Sequence, residues 1–327
     1  RQMLLKGTGL WPIVLLCSIG IVSALLTRNL LGLAGAVFVM IPIFAVFFTQ
    51  QGLITKENIL TMFRLATALS LVEALIAFGQ YFFIKDLLDR RPFAFFHNPN
   101  MYANIICLIT VLGLGVIFTG YDKKFNALYL VTFAINMVAL YLSGCRTVWP
   151  ALACALLVMM LLLKKYKTAV SLAVLYLFMA LCLYFDADLM PRLFFIEEDI
   201  HTRWDIIKVA FGAIKKRPVL GGGIFYFNMY SVDYVGNPLH RAYLHAHNLV
   251  INFAVDFGIL GLGCITAFFI LLFKRILKPG GITTEGAIAA GALIATLVHG
   301  LLDVTAFNVQ TGQLFLSLMA MALASIR

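Results

Sequence analysis

Charge is scarce in this sequence. Only 12% of the 327 residues are Asp, Glu, Lys or Arg, whereas 62% are hydrophobic. Soluble globular chains run near 25% charged and 45–50% apolar. The composition therefore excludes a soluble enzyme, a disordered scaffold and a secreted disulfide module. Cysteine is sparse too. The six, at 17, 107, 145, 154, 182 and 264, form no CxxC pair and lie mostly in apolar runs. They read as buried thiols acting as small hydrophobes, with no disulfide framework and no zinc site. Alternating ten-residue strands, a solenoid period, a P-loop, a Gly-rich dinucleotide fingerprint and a metalloprotease motif are all missing.

What is present is a succession of apolar runs, at about 8–27, 29–49, 59–84, 101–119, 125–142, 148–163, 167–185, 248–273, 286–304 and 308–326. A membrane-crossing helix needs roughly 20 such residues. Only helical bundles or closed barrels satisfy backbone polar groups in lipid. The expected fold is an all-α polytopic membrane protein: one transmembrane helical domain over 1–327, with about ten spans. The chain begins at Arg1 rather than Met, so a preceding N-terminal piece is expected. The run 8–27 lacks a small-residue cleavage pattern and is followed by Arg28, so it reads as a span and not a signal peptide.

The net charge of +10 reads as topology rather than as a nucleic-acid footprint. Alternating loops carry Arg1, Lys6, Lys56, Lys123, Lys124, Lys164, Lys165, Lys167, Lys274, Arg275, Lys278 and Arg327 on one face. The short loops of the other face carry only Arg28, Lys85, Arg90, Arg91 and Arg146. The first face is cytoplasmic by the positive-inside rule. The long connection 186–247 then lies outside, and holds four of the six histidines: His201, His240, His245 and His247. Within it Ile200, Trp204, Ile207, Phe211 and Ile214 recur at helical spacing, which predicts an amphipathic helix at the outer membrane–water boundary. Pro218 ends that helix, and Gly221, Gly222 and Gly223 predict a tight turn or a close backbone approach.

Candidate chemistry gathers on the outer face. His245, His247 and Asn248 close the large loop. An imidazole there suits a general base near neutral pH, or is an interfacial histidine with a polar neighbour. Arg146, in Ser143–Thr147, offers a planar fork of donors to phosphate, or snorkels to lipid headgroups. Arg203 and Arg241 carry the same chemistry within the loop. Asn98, Pro99 and Asn100 lead into the fourth run, Asn98 as a substrate contact or as a helix cap with Pro99 at the first turn. Arg90 and Arg91 precede them. Asp186 and Asp188 have D-x-D spacing, which holds a divalent cation in many sugar transferases, and Glu197, Glu198 and Asp199 cluster nearby; solvated carboxylates are the simpler reading. His299 and Asp303, four apart, are expected on one helix face. Arg64 and Glu73, in the third run, are expected as packing partners.

Taken together, these segments resemble the O-antigen ligase/polymerase superfamily of bacterial membrane proteins. The resemblance rests on Asn98-Pro99-Asn100, Ser143 to Arg146, Arg203-Trp204 with Pro218 to Gly223, and His247-Asn248 with Gly258-Ile259-Leu260-Gly261. It implies a GT-C-like membrane glycosyltransferase acting at the outer face of the cytoplasmic membrane. The implied donor is a glycan on undecaprenyl diphosphate, and the acceptor a glycan, lipid or protein hydroxyl. Neither metal nor other cofactor is implied, and no nucleic acid. By motif match His247 takes the place of the base, and Arg146 and Arg203 those of the essential arginines. Arg241, His245, Asn248, Asn98, Asn100, Arg91, Gly221, Gly223 and Asp303 are the expected substrate contacts. The extra histidine, His245, leaves both imidazoles open as the base. The expected reaction inverts the anomeric carbon and polymerises lipid-linked repeat units, with transfer to lipid A core or to protein as alternatives. A lipid-linked sugar transporter is the alternative of another class, although transporters usually bind near the midplane between repeated halves.

Overall fold

The computed structural model describes residues 9–84, 91–185, 196–234, 236, 243–277, 281–305 and 308–326. Among them every regular element is helical. Five helical stretches are long and apolar enough to cross a membrane: Leu30–Leu53, Lys56–Phe83, Pro99–Thr119, Lys123–Leu142 and Leu249–Ile276. Shorter apolar helices occupy Leu10–Leu26, Val148–Leu162, Tyr166–Met179, Thr284–His299 and Val309–Ser325. The chain groups into two compact units. Asp186 and Asp188 lie outside the described residues, as do Arg90 and Arg241.

The first unit comprises Arg1–Gly52, Phe195–Arg275 and Gly300–Val309. It contains α1 (Leu10–Leu26) and α2, which runs from Leu30 to Leu53 through a π-helical turn at Ala36–Met40. Asn29 starts α2, its side-chain oxygen accepting the Gly32 N–H at 2.7 Å. Phe47 of α2 meets Phe268 edge-on at 5.6 Å.

The centre of this unit is a broken helix. The long apolar segment Leu249–Ile276 contains Gly258 at φ 63°, ψ −168°, a conformation essentially open to glycine alone. A break inside an apolar helix frees N–H and C=O groups that need partners. The segment Pro218–Gly223 supplies them. Ile259 N–H donates to the Pro218 carbonyl at 2.9 Å and Leu260 N–H to Val219 at 3.2 Å. Gly222 and Gly223 N–H donate in return to Val255 and Asp256 carbonyls at 3.1 and 2.8 Å. Ser23 and Thr27 hydroxyls of α1 donate to the Leu220 and Gly222 carbonyls at 2.6 and 2.8 Å. A Cβ on Gly221 would sit 2.5 Å from the Asp256 carbonyl, and one on Gly223 would sit 2.9 Å from Ala24. The close approach expected at these glycines is thus an approach to the protein's own backbone. Gly258→Ala would drive its Cβ into the Val219 carbonyl. A cost of at least about 3 kcal/mol is expected, read as a lower thermal midpoint of the detergent-solubilised chain.

Two further helices of this unit frame the candidate site. They are α8 (Ile196–Lys216) and α9 (Tyr226–Asp233), numbered after the second unit's α3–α7 described below. Ile206, Val209, Ala210 and Ala213 of α8 pack with Tyr226, Phe227 and Tyr230 of α9, and with Tyr243, Ala246 and Val255. The buried Asp256 carboxyl accepts from the Phe225, Tyr226 and Phe227 N–H groups at the start of α9. Leu249–Ile276 is α10.

The second unit comprises Leu53–Phe194, Ile276–His299 and Gln310–Arg327. Its helices are α3 (Lys56–Phe83), α4 (Pro99–Thr119), α5 (Asn126–Leu142), α6 (Val148–Leu162), α7 (Tyr166–Phe185), α11 (Thr284–His299) and nearly all of α12 (Val309–Ser325). Helix α4 is its axis, buried continuously from Tyr102 to Val116. Small residues let backbones approach here. A Cβ on Gly291 of α11 would sit 2.9 Å from Val111 and 3.2 Å from the Ala155 carbonyl.

Several polar side chains inside this unit find partners within it. Asn136 donates to the Ser70 hydroxyl at 2.9 Å. Arg64 does not pair with Glu73: its guanidinium forks onto Asp122 with bonds of 2.7 and 2.8 Å, while Glu73 accepts from the Phe95 N–H at 3.4 Å. The fork holds the Asp122 carboxyl below its ordinary range, against the opposing effect of burial. Asp122 is 3% exposed and Arg64 32%. Asp122→Ala is therefore expected to lower the thermal midpoint, because it removes the carboxylate that the Arg64 fork grips. Because the carboxyl is depressed, its stabilisation is present above the ordinary carboxylate range and is lost as pH falls through the folded value. Thermal midpoints measured into acid check both: the variant starts lower and loses less on acidification.

Candidate active site

The first unit's site is assembled from α8, the loop before α10 and the turn after α11. Asn248 anchors the loop. Its side-chain oxygen accepts the Ile251 N–H at 3.0 Å, capping α10, and its amide donates to the Leu301 carbonyl at 3.0 Å. Leu249 N–H donates to the Gly300 carbonyl at 2.7 Å. Asn252, one turn into α10, accepts the Ala246 N–H at 2.9 Å and donates to Asp256 at 2.9 Å. Between these anchors His247 is held at φ 50°, in the left-handed region that few non-glycine residues adopt.

That backbone conformation brings the two imidazoles together. Their ring centres are 4.3 Å apart, edge to face. The His247 N–H donates to His245 Nδ1 at 3.4 Å. The proton of a neutral His245 then sits on Nε2, which faces Asp303 Oδ1 at 3.8 Å. Asp303 is buried, and the same oxygen accepts the Val304 N–H at 2.7 Å. Arg203 of α8 donates from Nη1 to the Leu302 carbonyl. Burial lowers the His245 pKa and the Arg203 charge lowers it further, while Asp303 pulls the other way. The net direction is downward, so His245 is held neutral.

His245, His247 and Asp303 bring ligand-type atoms within 4.8 Å of one another, a spacing on the scale of a metal site. Two features oppose a cation there. The Arg203 charge acts on the same imidazole, and coordination through His245 Nε2 would move its proton to Nδ1, against the His247 N–H. The arrangement is better suited to moving protons beside an anion.

His299 and Asp303 do not share a helix face. Helix α11 ends at His299, and Asp303 follows in a turn whose Gly300, Leu301 and Leu302 carbonyls accept from Leu249, Asn248 and Arg203. Those main-chain acceptors pull the turn out of helical register.

The second unit holds Arg91 and Arg146. Arg146 lies half-buried in the turn between α5 and α6, beside Gly144 at φ 60°. The Ser143 hydroxyl donates to the Leu140 carbonyl at 2.7 Å and accepts the Cys145 N–H at 3.2 Å. Cys145 Sγ lies 3.6 Å from His299 Nε2 and 3.4 Å from the Thr147 hydroxyl. Arg91 donates from Nε to the Ser143 carbonyl and from Nη2 to Asn100 Oδ1, both at 2.6 Å. Asn98 caps α4, accepting the Asn100 and Met101 N–H groups at 2.6 and 3.3 Å, with Pro99 in the first turn. Arg91, Asn98 and Asn100 thus shape the turn that presents Arg146, and Gly221 and Gly223 fill the helix break.

The structure also adds residues that the motifs did not suggest. Asn252 and Asp256 support the histidine loop from within an apolar helix, and a polar residue inside such a run is itself a signal. The acceptors at 300–302 are main-chain atoms, which no sequence pattern marks.

No curated protein sequence matches the chain. The family model described as O-antigen ligase matches residues 128–266. The matched segment encloses Arg146, Arg203, His245, His247 and Asn248, and stops short of Asp303. The likeness supports a membrane enzyme of the glycosyltransferase type acting on lipid-linked glycans. The match covers 139 of the 327 residues and supports a relation of this segment to the O-antigen ligase/polymerase superfamily.

Proposed function

We propose that the protein transfers a glycan from undecaprenyl diphosphate to an acceptor hydroxyl at the outer face of the cytoplasmic membrane, polymerising lipid-linked repeat units. The observation that carries this reading is the gathering of two imidazoles, a buried carboxylate and the Arg203 guanidinium on one loop-and-turn platform. His247 is the base. Both ring nitrogens of His245 are engaged, Nδ1 by the His247 N–H and Nε2 towards Asp303, which gives His245 an orienting role.

In the reaction the acceptor oxygen forms a bond to the anomeric carbon, the bond from that carbon to the diphosphate oxygen breaks, and the acceptor proton passes to His247. In-line attack inverts the anomeric centre. The departing diphosphate is already a good leaving group, so the work of the protein is to hold its growing charge. That work is assigned to Arg203 on the platform and, by motif match alone, to Arg146, with Arg241 as a third arginine of the loop. No metal is required by this route. The second reading is ligation, favoured by the description of the matching family. Purified protein incubated with carrier-linked repeat units separates the two. A ladder of products supports polymerisation. A single transfer, made only when lipid A core is supplied, overturns it in favour of ligation.

A further inference from the structure

Helix α8 has a face that neither the core nor the catalytic platform uses. Ile206, Val209, Ala210 and Ala213 are buried on one side. Arg203 turns towards Leu302. His201, Trp204, Lys208, Phe211 and Lys215 are exposed, and their 3-4-3-4 spacing places them in one stripe along the helix. Trp204 is 58% exposed and Phe211 50%. At 1.5 Å per residue the stripe is about 21 Å long. The interface helix expected over Ile200, Trp204, Ile207, Phe211 and Ile214 is therefore rotated. Ile207 and Ile214 are half-buried, and lysines take their places between the aromatic rings.

We propose that this stripe lies on the membrane–water boundary and binds anionic phospholipid headgroups. Aromatic rings alternating with lysines are a poor fit to a dry protein interface, which excludes lysine, and to water, which rejects aligned large apolar rings. They suit a boundary in which rings sit at headgroup level while lysines reach the phosphates. Charge along the helix gives the occupant its sign. Glu197, Glu198 and Asp199 lie at the start of α8, whereas Lys208, Lys215, Lys216 and Arg217 crowd its end. Lys208 is paired with Asp205 at 2.8 Å and remains exposed, and Lys216 lies over the Tyr230 ring at 5.1 Å. The basic end is therefore the anionic-lipid end. One consequence rests on the transfer reading above. Arg203 precedes Trp204 by one residue, so docking the stripe sets the depth of its guanidinium at the level of lipid phosphates, where a carrier diphosphate lies.

The test uses the full chain in lipid nanodiscs. The emission of Trp204 is isolated by difference from Trp204→Phe, since Trp11 and Trp149 also emit. Trp204 is expected to be quenched by lipids brominated near the headgroup and shielded from aqueous acrylamide. Replacing a third of zwitterionic phosphatidylcholine by phosphatidylglycerol is expected to increase the lipid quenching at least twofold. The double variant Lys208→Glu/Lys215→Glu should lose that increment. Quenching by acrylamide as strong as that of a solvated tryptophan overturns the proposal. So does an increment that survives the charge reversal, or shielding that appears only when carrier-linked glycan is added. The readout needs no turnover. A failed stripe shows in quenching, and a failed transfer reading shows in the turnover of His247 variants.

Discussion

His247→Ala is expected to lower glycan transfer by about 10²–10⁴-fold, the range of a positioned general base. Alanine tolerates the left-handed backbone at this position poorly, so loss of the imidazole and distortion of the loop would be confounded. His247→Asn separates them, because asparagine enters that region readily and carries no basic nitrogen. The expected result is a loss of transfer in His247→Asn as large as in His247→Ala, with donor binding retained and the thermal midpoint of His247→Asn near that of the parent. His245→Ala should lose less, since His245 orients its neighbour and faces Asp303. If His247→Asn turns over normally and His245→Ala is dead, the roles are reversed.

The second large effect is at the arginines. Arg203→Ala and Arg146→Ala are each expected to reduce the rate constant of transfer by about 10²–10³-fold, as for removal of a donor aimed at developing charge. Lysine should rescue each only in part, because a point charge does not replace a planar fork. Arg203→Ala has a second signature. The guanidinium depresses the His245 pKa, so its removal should move the imidazole titration upward, which NMR of labelled histidine resolves. Near-normal rates in both alanine variants would refute the charge-stabilising role. A loss confined to apparent donor affinity would assign the arginines to ground-state binding instead.

Much of the scaffold was legible before any coordinates. Runs of apolar residues of spanning length can only be helices in lipid, and each of the ten coincides with a helix or most of one. The start of α4 was readable because Asn98 and Pro99 are chemically suited to a cap and a first turn. The glycines at 221–223 announced a close approach, but a glycine says that something comes near, not what. Here it is the break in α10. Arg91 and Asn100 show the same limit: a guanidinium and a carboxamide fit a substrate or each other equally well, and the fold joins them at 2.6 Å.

From residue types alone came the helical membrane class, the concentration of histidine in one loop, and the motifs that carry the family. Local rules suffice for these, since burial in lipid, capping and charge bias depend on neighbours in sequence. Tertiary structure decided which polar groups meet. His245 and Asp303 are 58 residues apart in sequence and 3.8 Å apart in space. The turn that joins them is held by main-chain carbonyls, whose positions depend on how distant helices end rather than on any side chain at the turn.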